Sequence, residues 1–232
     1  MHSCGVSHSP FQRKKGFSVN GKFVVELYTK DMIKNLIFDL AGVVMNLNIT
    51  RDVAALNYAG FPCFEECCSN PVIRVPMLKF LNGLCSEEEF LRNIRPLCNP
   101  DATDDDIRWA MNAVLDDIPA KRIEMIIELR KRYKVYLLTN IYHYAWNHAV
   151  REIEEKGFGV NDVFDKVFLS YEMGLAKPDL RIYRKVIEET AILPEETIYF
   201  DDNKENVAAG KEMGFDSRLV EMNNLESLIS NL

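Results

Sequence analysis

No apolar run in the 232-residue sequence approaches the roughly 18 residues that a membrane-spanning helix needs, which excludes a transmembrane anchor. Basic residues are not in excess either: Lys+Arg is 28 against Asp+Glu 35, a formal net charge of -7. A chain that grips a phosphate backbone needs a basic face, so DNA and RNA are excluded as partners. The early Arg13-Lys14-Lys15 is followed by no apolar stretch and no small-residue cleavage site, so no secretory signal is read and a cytoplasmic location is expected. There the six cysteines are expected as reduced thiols. Cys63, Cys67 and Cys68 invite a zinc site, but no second Cys pair or His pair stands at ligand spacing, and structural thiols are the better reading. Internal repeats and low-complexity segments are also missing.

What is present is an ordinary globular composition, 47% hydrophobic and 27% charged, with a length of about one and a half typical domains. Four short apolar runs each end in a polar residue. They are Leu36-Ile37-Phe38 into Asp39, residues 135–138 into Thr139, residues 167–169 into Ser170, and residues 198–200 into Asp201-Asp202. Such runs suit parallel strands covered on both faces. Helical patterns over 120–133, 142–156, 179–190 and 203–213 alternate with them, and Pro119 is well placed to open the first. The alternation predicts an α/β fold, a Rossmann-like parallel sheet wrapped by helices on both faces.

Residues 49–118 break that rhythm. Strand signals are few, while Ser86 with Glu89 reads as a capping box and Thr103 with Asp106 as a weaker cap. A helical cap subdomain is predicted there, inserted into a core of residues 32–48 and 119–232. The acidic run Asp104-Asp105-Asp106 reads as a first helical turn that compensates the dipole, not as a metal site. Residues 1–31 form an extension in which Val19-Asn20-Gly21-Lys22 predicts a two-residue hairpin.

In an open parallel sheet, ligands bind at the carboxyl ends of the strands. Asp39, Thr139 and Asp201-Asp202 fall at such ends, and Lys177, in the loop Gly174-Leu175-Ala176-Lys177-Pro178, can reach the same edge. Three carboxylates, one ammonium and one hydroxyl suit Mg²⁺ and a phosphoryl group. One carboxylate could then attack phosphorus. Each residue has a plainer alternative: a turn, a solvated lysine, or a cap in Asp201-Asp202-Asn203 for the helix that follows. Their joint occurrence at matching strand ends favours chemistry.

These residues resemble the motifs of the haloacid-dehalogenase-like hydrolases, in order and spacing. Residues 37–44, Ile-Phe-Asp-Leu-Ala-Gly-Val-Val, resemble the first motif, Leu137-Leu138-Thr139-Asn140 the second, Lys177-Pro178 the third and Tyr199-Phe200-Asp201-Asp202-Asn203 the fourth. The likeness covers residues 32–232. It is greatest to a subgroup of sugar-phosphate phosphatases that includes α-D-glucose-1-phosphate phosphatase. The resemblance implies Asp39 as nucleophile, with Thr139, Asn140 and Lys177 on the substrate phosphate. It also implies Mg²⁺ held by Asp39, the carbonyl of Ala41 and Asp202, with Asp201 in support, and a small phosphorylated metabolite as substrate.

One departure matters. Most phosphatases of the superfamily carry a second Asp, an acid/base, where this chain has Ala41. Losing such a group typically costs about 10²–10⁴-fold in rate; His143 or a cap residue are the candidates to replace it. Two alternatives follow: a metal-free 2-haloacid dehalogenase, or a regulatory binder of phosphate-containing ligands. The Asp201-Asp202 pair would repel a carboxylate substrate and so weighs against the dehalogenase. In the cap, Arg51, Arg74, Lys79, Arg92 and Arg95 are candidates for gripping an anionic substrate.

Overall fold

The computed structural model describes residues 33–61, 70–230 and 232 fully, and 14–19 and 22–27 as backbone. Cys4, Cys63, Cys67 and Cys68, and with them the zinc question, lie outside the described residues. Strands β1 (Lys14–Val19) and β2 (Lys22–Leu27) pair antiparallel with Val19 opposite Lys22, as the hairpin reading requires. Its two loop residues, Asn20 and Gly21, also lie outside the described set.

The central sheet is built from β3 (Asn35–Phe38), β4 (Lys134–Thr139), β5 (Lys166–Leu169), β6 (Thr197–Asp201) and β7 (Asp216–Leu219). All pairs are parallel, in the order β5-β4-β3-β6-β7. The predicted α/β Rossmann-like sheet is therefore found, with one strand more than the sequence suggested. Strand β7, Asp-Ser-Arg-Leu, is an edge strand with half-exposed positions, so it lacks the continuous apolar run that marks a buried parallel strand.

Alternate residues of each strand feed opposite faces, as a period of two requires. Leu36, Phe38, Val135, Leu137, Ile198 and Phe200 pack on one side. That side is covered by α5 (Ala120–Arg130) and α6 (His143–Glu154). Ile37, Tyr136, Leu138 and Tyr199 face the other side, toward α9 (Leu180–Thr190) and α10 (Lys204–Glu212). Removing a side chain of this size from water stabilises the fold by about 1.5–3 kcal/mol. Short helices α7 (Val160–Val163), α8 (Ser170–Met173) and α11 (Glu226–Ile229) complete this layer arrangement.

Between β3 and β4 lie α1 (Ile49–Ala59), α2 (Pro71–Leu81), α3 (Glu87–Ile94) and α4 (Asp104–Asn112). They bury an apolar cluster of their own, including Ala55, Leu56, Phe80, Phe90, Ile94 and Ile107. The two capping signals exchange rank. Thr103 and Asp106 form the complete reciprocal box, with Thr103 N–H donating to Asp106 Oδ2 at 2.8 Å and Asp106 N–H to Thr103 Oγ1 at 3.1 Å. At Ser86 only the Glu89 N–H to Oγ bond forms, at 3.1 Å. The acidic first turn of α4 is tied to arginines, Asp104 to Arg95 and Asp105 to Arg108.

Candidate active site

Phe38 is in register with Leu137 on β4 and Phe200 on β6, so the residues after them emerge at one sheet edge. The Asp39 N–H donates to the carbonyl of Phe200 at 2.9 Å, extending the pairing one residue past the strand. The connection from β3 runs to β4 on one side while β6 lies on the other. The crevice above β3 is thus a switch point, where ligands of open α/β sheets bind. Carboxylate oxygens of Asp39, Asp201 and Asp202 lie within 4.8 Å of one another there.

Lys177 enters this group from the loop after α8 and is buried. Its ammonium donates to the Leu138 carbonyl at 2.8 Å and to Asp201 Oδ2 at 2.7 Å, and stands 2.9 Å from Asp39 Oδ1. Three acceptors match its three N–H groups. The two carboxylates more than offset the cost of burial and hold it protonated well above the ordinary lysine value. Asn140 fixes the loop. Its Nδ2 donates to the Lys177 carbonyl and its Oδ1 accepts from the Lys177 N–H, both at 2.8 Å. Thr139 closes β4 as a buried residue on the strand next to Asp39.

The two adjacent carboxylates of β6 differ in kind. Asp201 is fully buried and saturated. Besides Lys177 it accepts from the Asn203 N–H at 2.8 Å, from Asn206 Nδ2 at 3.0 and 3.2 Å, and from the Tyr199 hydroxyl. Asp202 receives no side-chain donor among the described residues, and its Oδ2 lies over Gly42, where a Cβ would come within 2.2 Å of it. Gly42 has φ +78°, so both space and backbone favour glycine there. Capping of α10 falls to Asn203, whose Oδ1 accepts from the Glu205 and Asn206 N–H groups. The carboxylate pair is therefore not used as the cap.

The donor set fits a hard divalent cation. Asp39 and Asp202 carry carboxylates raised to about 7 and about 6, mainly by burial. Repulsion from neighbouring carboxylates adds to this, while Lys177 acts in the opposite sense. The Ala41 carbonyl accepts no hydrogen bond among the described residues. Clustered carboxylates outnumbering the single Lys177 ammonium, beside a free carbonyl, suit Mg²⁺. Because both carboxyl groups hold protons above their ordinary value, a cation must displace those protons as pH falls. Mg²⁺ affinity should drop about 10–100-fold between pH 8 and pH 5.5, as followed by titration calorimetry. A pH-independent affinity would count against these ligands.

The remaining candidates are less central. His143 is exposed at the start of α6, its ring edge-on to Tyr171 at 6.0 Å. Arg51 donates to the carbonyls of Ala113 and Leu115 and stands 3.1 Å from Asp116, tying the start of α1 to the segment between α4 and α5. Arg92 and Arg95 line a surface cleft of ≈ 560 Å³ on the cap with Glu88 and Asp104, to which they are paired. Arg74 and Lys79 are exposed on α2. The sequence reading missed Tyr199, Asn206 and Arg122, the last a buried arginine that donates to the Val43 and Val44 carbonyls behind the loop after Asp39. Only Tyr199 lay within a quoted motif, so a polar group inside an otherwise apolar strand was the one available signal.

Fold and site together define a doubly wound α/β enzyme with its reactive groups at the strand ends and a helical insertion after the first sheet strand. The chain belongs to the haloacid dehalogenase-like hydrolases, whose family model matches residues 33–214. It is 29% identical over 187 residues to the D-ribitol-5-phosphate phosphatase of Bacteroides thetaiotaomicron, covering 80% of this chain and 91% of that protein. A haloacid dehalogenase family enzyme of the same organism, crystallised with magnesium and inorganic phosphate, is 33% identical at a TM-score of 0.73, over 82% of this chain and 96% of that one. A HAD-like hydrolase of Porphyromonas gingivalis superposes with a TM-score of 0.77 at 29% identity, over 86% and 97% of the two chains. The L-2-haloacid dehalogenase of Xanthobacter autotrophicus, 20% identical with a TM-score of 0.56, shares the fold.

Proposed function

We propose that this protein is a Mg²⁺-dependent phosphatase of small phosphorylated metabolites, with residues 32–48 and 119–232 as catalytic body and 49–118 as the cap. The observation that carries the reading is the pairing of Asp39 with a permanently charged Lys177 beside two further carboxylates. A relative that acts on D-ribitol 5-phosphate and one holding magnesium with phosphate support it. Asp39, the Ala41 carbonyl and Asp202 would hold the cation. When bound, Mg²⁺ supplies positive charge that neutralises the phosphoryl oxygens. Asp201, saturated by protein donors, positions Lys177 and the loop to α10.

Asp39 Oδ1 is fixed by the Leu40 N–H at 2.7 Å and by Lys177, which leaves Oδ2 for attack on phosphorus. The P–O bond to the leaving group breaks, its electron pair stays on the leaving oxygen, and that oxygen takes a proton from water. Once Asp39 carries the phosphoryl group as an acyl phosphate its carboxylate charge is gone, and the Lys177 N–H that faced it, with the Thr139 hydroxyl, is left to the phosphoryl oxygens. Water then attacks phosphorus, the bond to Asp39 breaks, and phosphate and the free carboxylate are restored. The test is phosphate release from p-nitrophenyl phosphate and a panel of sugar and polyol phosphates, with and without Mg²⁺. Silence across the panel from folded protein would overturn the assignment.

Ala41 leaves no acid beside the leaving oxygen, so rate should depend steeply on leaving-group quality. Introducing the missing carboxyl, Ala41→Asp, should raise kcat toward alkyl phosphates by about 10²-fold while changing p-nitrophenyl phosphate turnover much less. Equal gains on both substrates would show that proton transfer does not limit the wild-type enzyme.

A further inference from the structure

Residues 220–223 follow β7 and lie beyond 33–214, the part of the chain that the family model matches. This short segment touches both loops that bring the candidate cation ligands together. At its start the Val220 N–H donates to the Asp201 carbonyl at 2.9 Å, next to Asp202. At its end the Asn223 N–H donates to the Gly42 carbonyl at 3.1 Å, next to Ala41. The Gly42 N–H is in turn taken by the Met45 carbonyl at 2.8 Å, so the peptide groups on both sides of Gly42 are held. The direction of the Ala41 carbonyl follows, because a planar trans peptide points it opposite to the Gly42 N–H. The Asp202 carboxylate lies over that same glycine.

Asn223 does more than donate its N–H. Its carboxamide pairs with the main chain of Leu47, Oδ1 accepting from the N–H at 2.9 Å and Nδ2 donating to the carbonyl at 3.2 Å. Its own carbonyl accepts from Arg122, which also holds the Val43 and Val44 carbonyls. Both ends of the loop from Gly42 to Leu47 are thus fastened to one residue. Asn223 sits at φ +63°, in a turn that the Asn224 N–H closes on the Glu221 carbonyl at 2.9 Å. Glycine is the usual residue at such a left-handed position, and asparagine is the next. A turn alone would be served by glycine; the two-point grip on Leu47 needs the asparagine side chain. Each of these bonds adds only modestly to stability. What the set fixes is the spacing of the two ligand loops, to which a cation with near-ideal octahedral demands is sensitive.

We propose that Asn223 is a positioning residue for the cation site, holding the Ala41 carbonyl and the Asp202 carboxylate in one arrangement that suits Mg²⁺. The inference rests on the phosphatase reading and on its ligand set. Asn223 acts through Gly42 and Leu47 and not by ligation, since both polar atoms of its side chain are spent on Leu47. Residues that orient metal ligands from behind typically set affinity by about 10–100-fold.

The test is titration calorimetry of Mg²⁺ into the metal-free full chain. Asn223→Val puts a β-branched residue where φ is positive and removes the carboxamide, and should weaken Mg²⁺ binding about 10–100-fold. Asn223→Gly keeps the left-handed backbone and its N–H but not the grip on Leu47, and should weaken binding about 3–10-fold. Asn224→Ala, which retains the main-chain bonds to Glu221 and Ser227, should bind as the wild type does. A purely structural role would lower the melting temperature and leave the affinity of the folded protein unchanged. Should Asn223→Val fail to fold, Asn223→Gly reads the same affinity. Affinity within about 2-fold of wild type in the folded Asn223 variants, or an equal loss in Asn224→Ala, overturns the inference. A wild type that binds no Mg²⁺ and releases no phosphate from p-nitrophenyl phosphate overturns the phosphatase reading itself.

Discussion

Asp39→Asn should abolish phosphate release, by about 10⁴-fold or more, while the protein stays folded. The substitution keeps an oxygen that can accept from the Leu40 N–H and from Lys177, so the geometry at the end of β3 survives. What it removes is the oxygen proposed to attack phosphorus. It also removes a carboxylate that burial and the charges of Asp201 and Asp202 penalise, even with Lys177 beside it. Lys177 retains Asp201 and the Leu138 carbonyl. The melting temperature of Asp39→Asn should therefore match or exceed that of the wild type in metal-free buffer. Phosphate release followed colorimetrically beside a thermal melt checks both halves. Residual turnover near wild type would remove Asp39 as nucleophile, and a collapsed melt would show that its charge is structural.

The second large effect concerns stability. Arg122 is almost wholly buried and spends every guanidinium N–H. Nε and one terminal nitrogen grip the two oxygens of Glu226 at 2.8 and 3.1 Å. The other terminal nitrogen reaches the Val43 and Val44 carbonyls and Asn46 Oδ1, each at 3.0 Å, and the Asn223 carbonyl is met at 3.2 Å. One side chain thus joins α5, the loop after Asp39 and the C-terminal segment. Arg122→Ala leaves carbonyls without donors and a cavity, and should cost about 3–5 kcal/mol. For a chain of this length that is a fall of about 6–20 °C in Tm. Arg122→Lys should recover only part, because a point charge cannot reproduce the planar fork. The exposed pair Arg92–Glu88, at 3.5 Å, is the control, and Arg92→Ala should change stability by less than about 1 kcal/mol. Equal effects at the two arginines would refute the clamp.

Local pattern carried much of this protein. Buried parallel strands need continuous apolar runs, and a polar residue closing such a run is costly unless it sits at an edge. That is why Asp39, Thr139 and Asp201-Asp202 could be placed at one end of the sheet from sequence alone. Helix starts were legible as well, since side-chain caps act within three residues, as at Thr103 with Asp106 and at Asn203 before α10. Strand β7 was not legible, because an edge strand with half-exposed positions need not be apolar.

The sequence by itself determined the α/β class, the order of the strand-end motifs and which polar residues gather at the sheet edge. Tertiary structure decided how those residues divide the work. Asn140 is spent on the Lys177 backbone, 37 positions away, and Asp201 is saturated while Asp202 stays open. Arg122 finds Glu226 across 104 positions, and Arg51 donates to the Ala113 and Leu115 carbonyls, 62 and 64 positions away. Caps and apolar periodicity are short-range effects written into neighbouring residues. Hydrogen-bond saturation of a buried polar group depends on which distant elements pack beside it, and no local pattern records that.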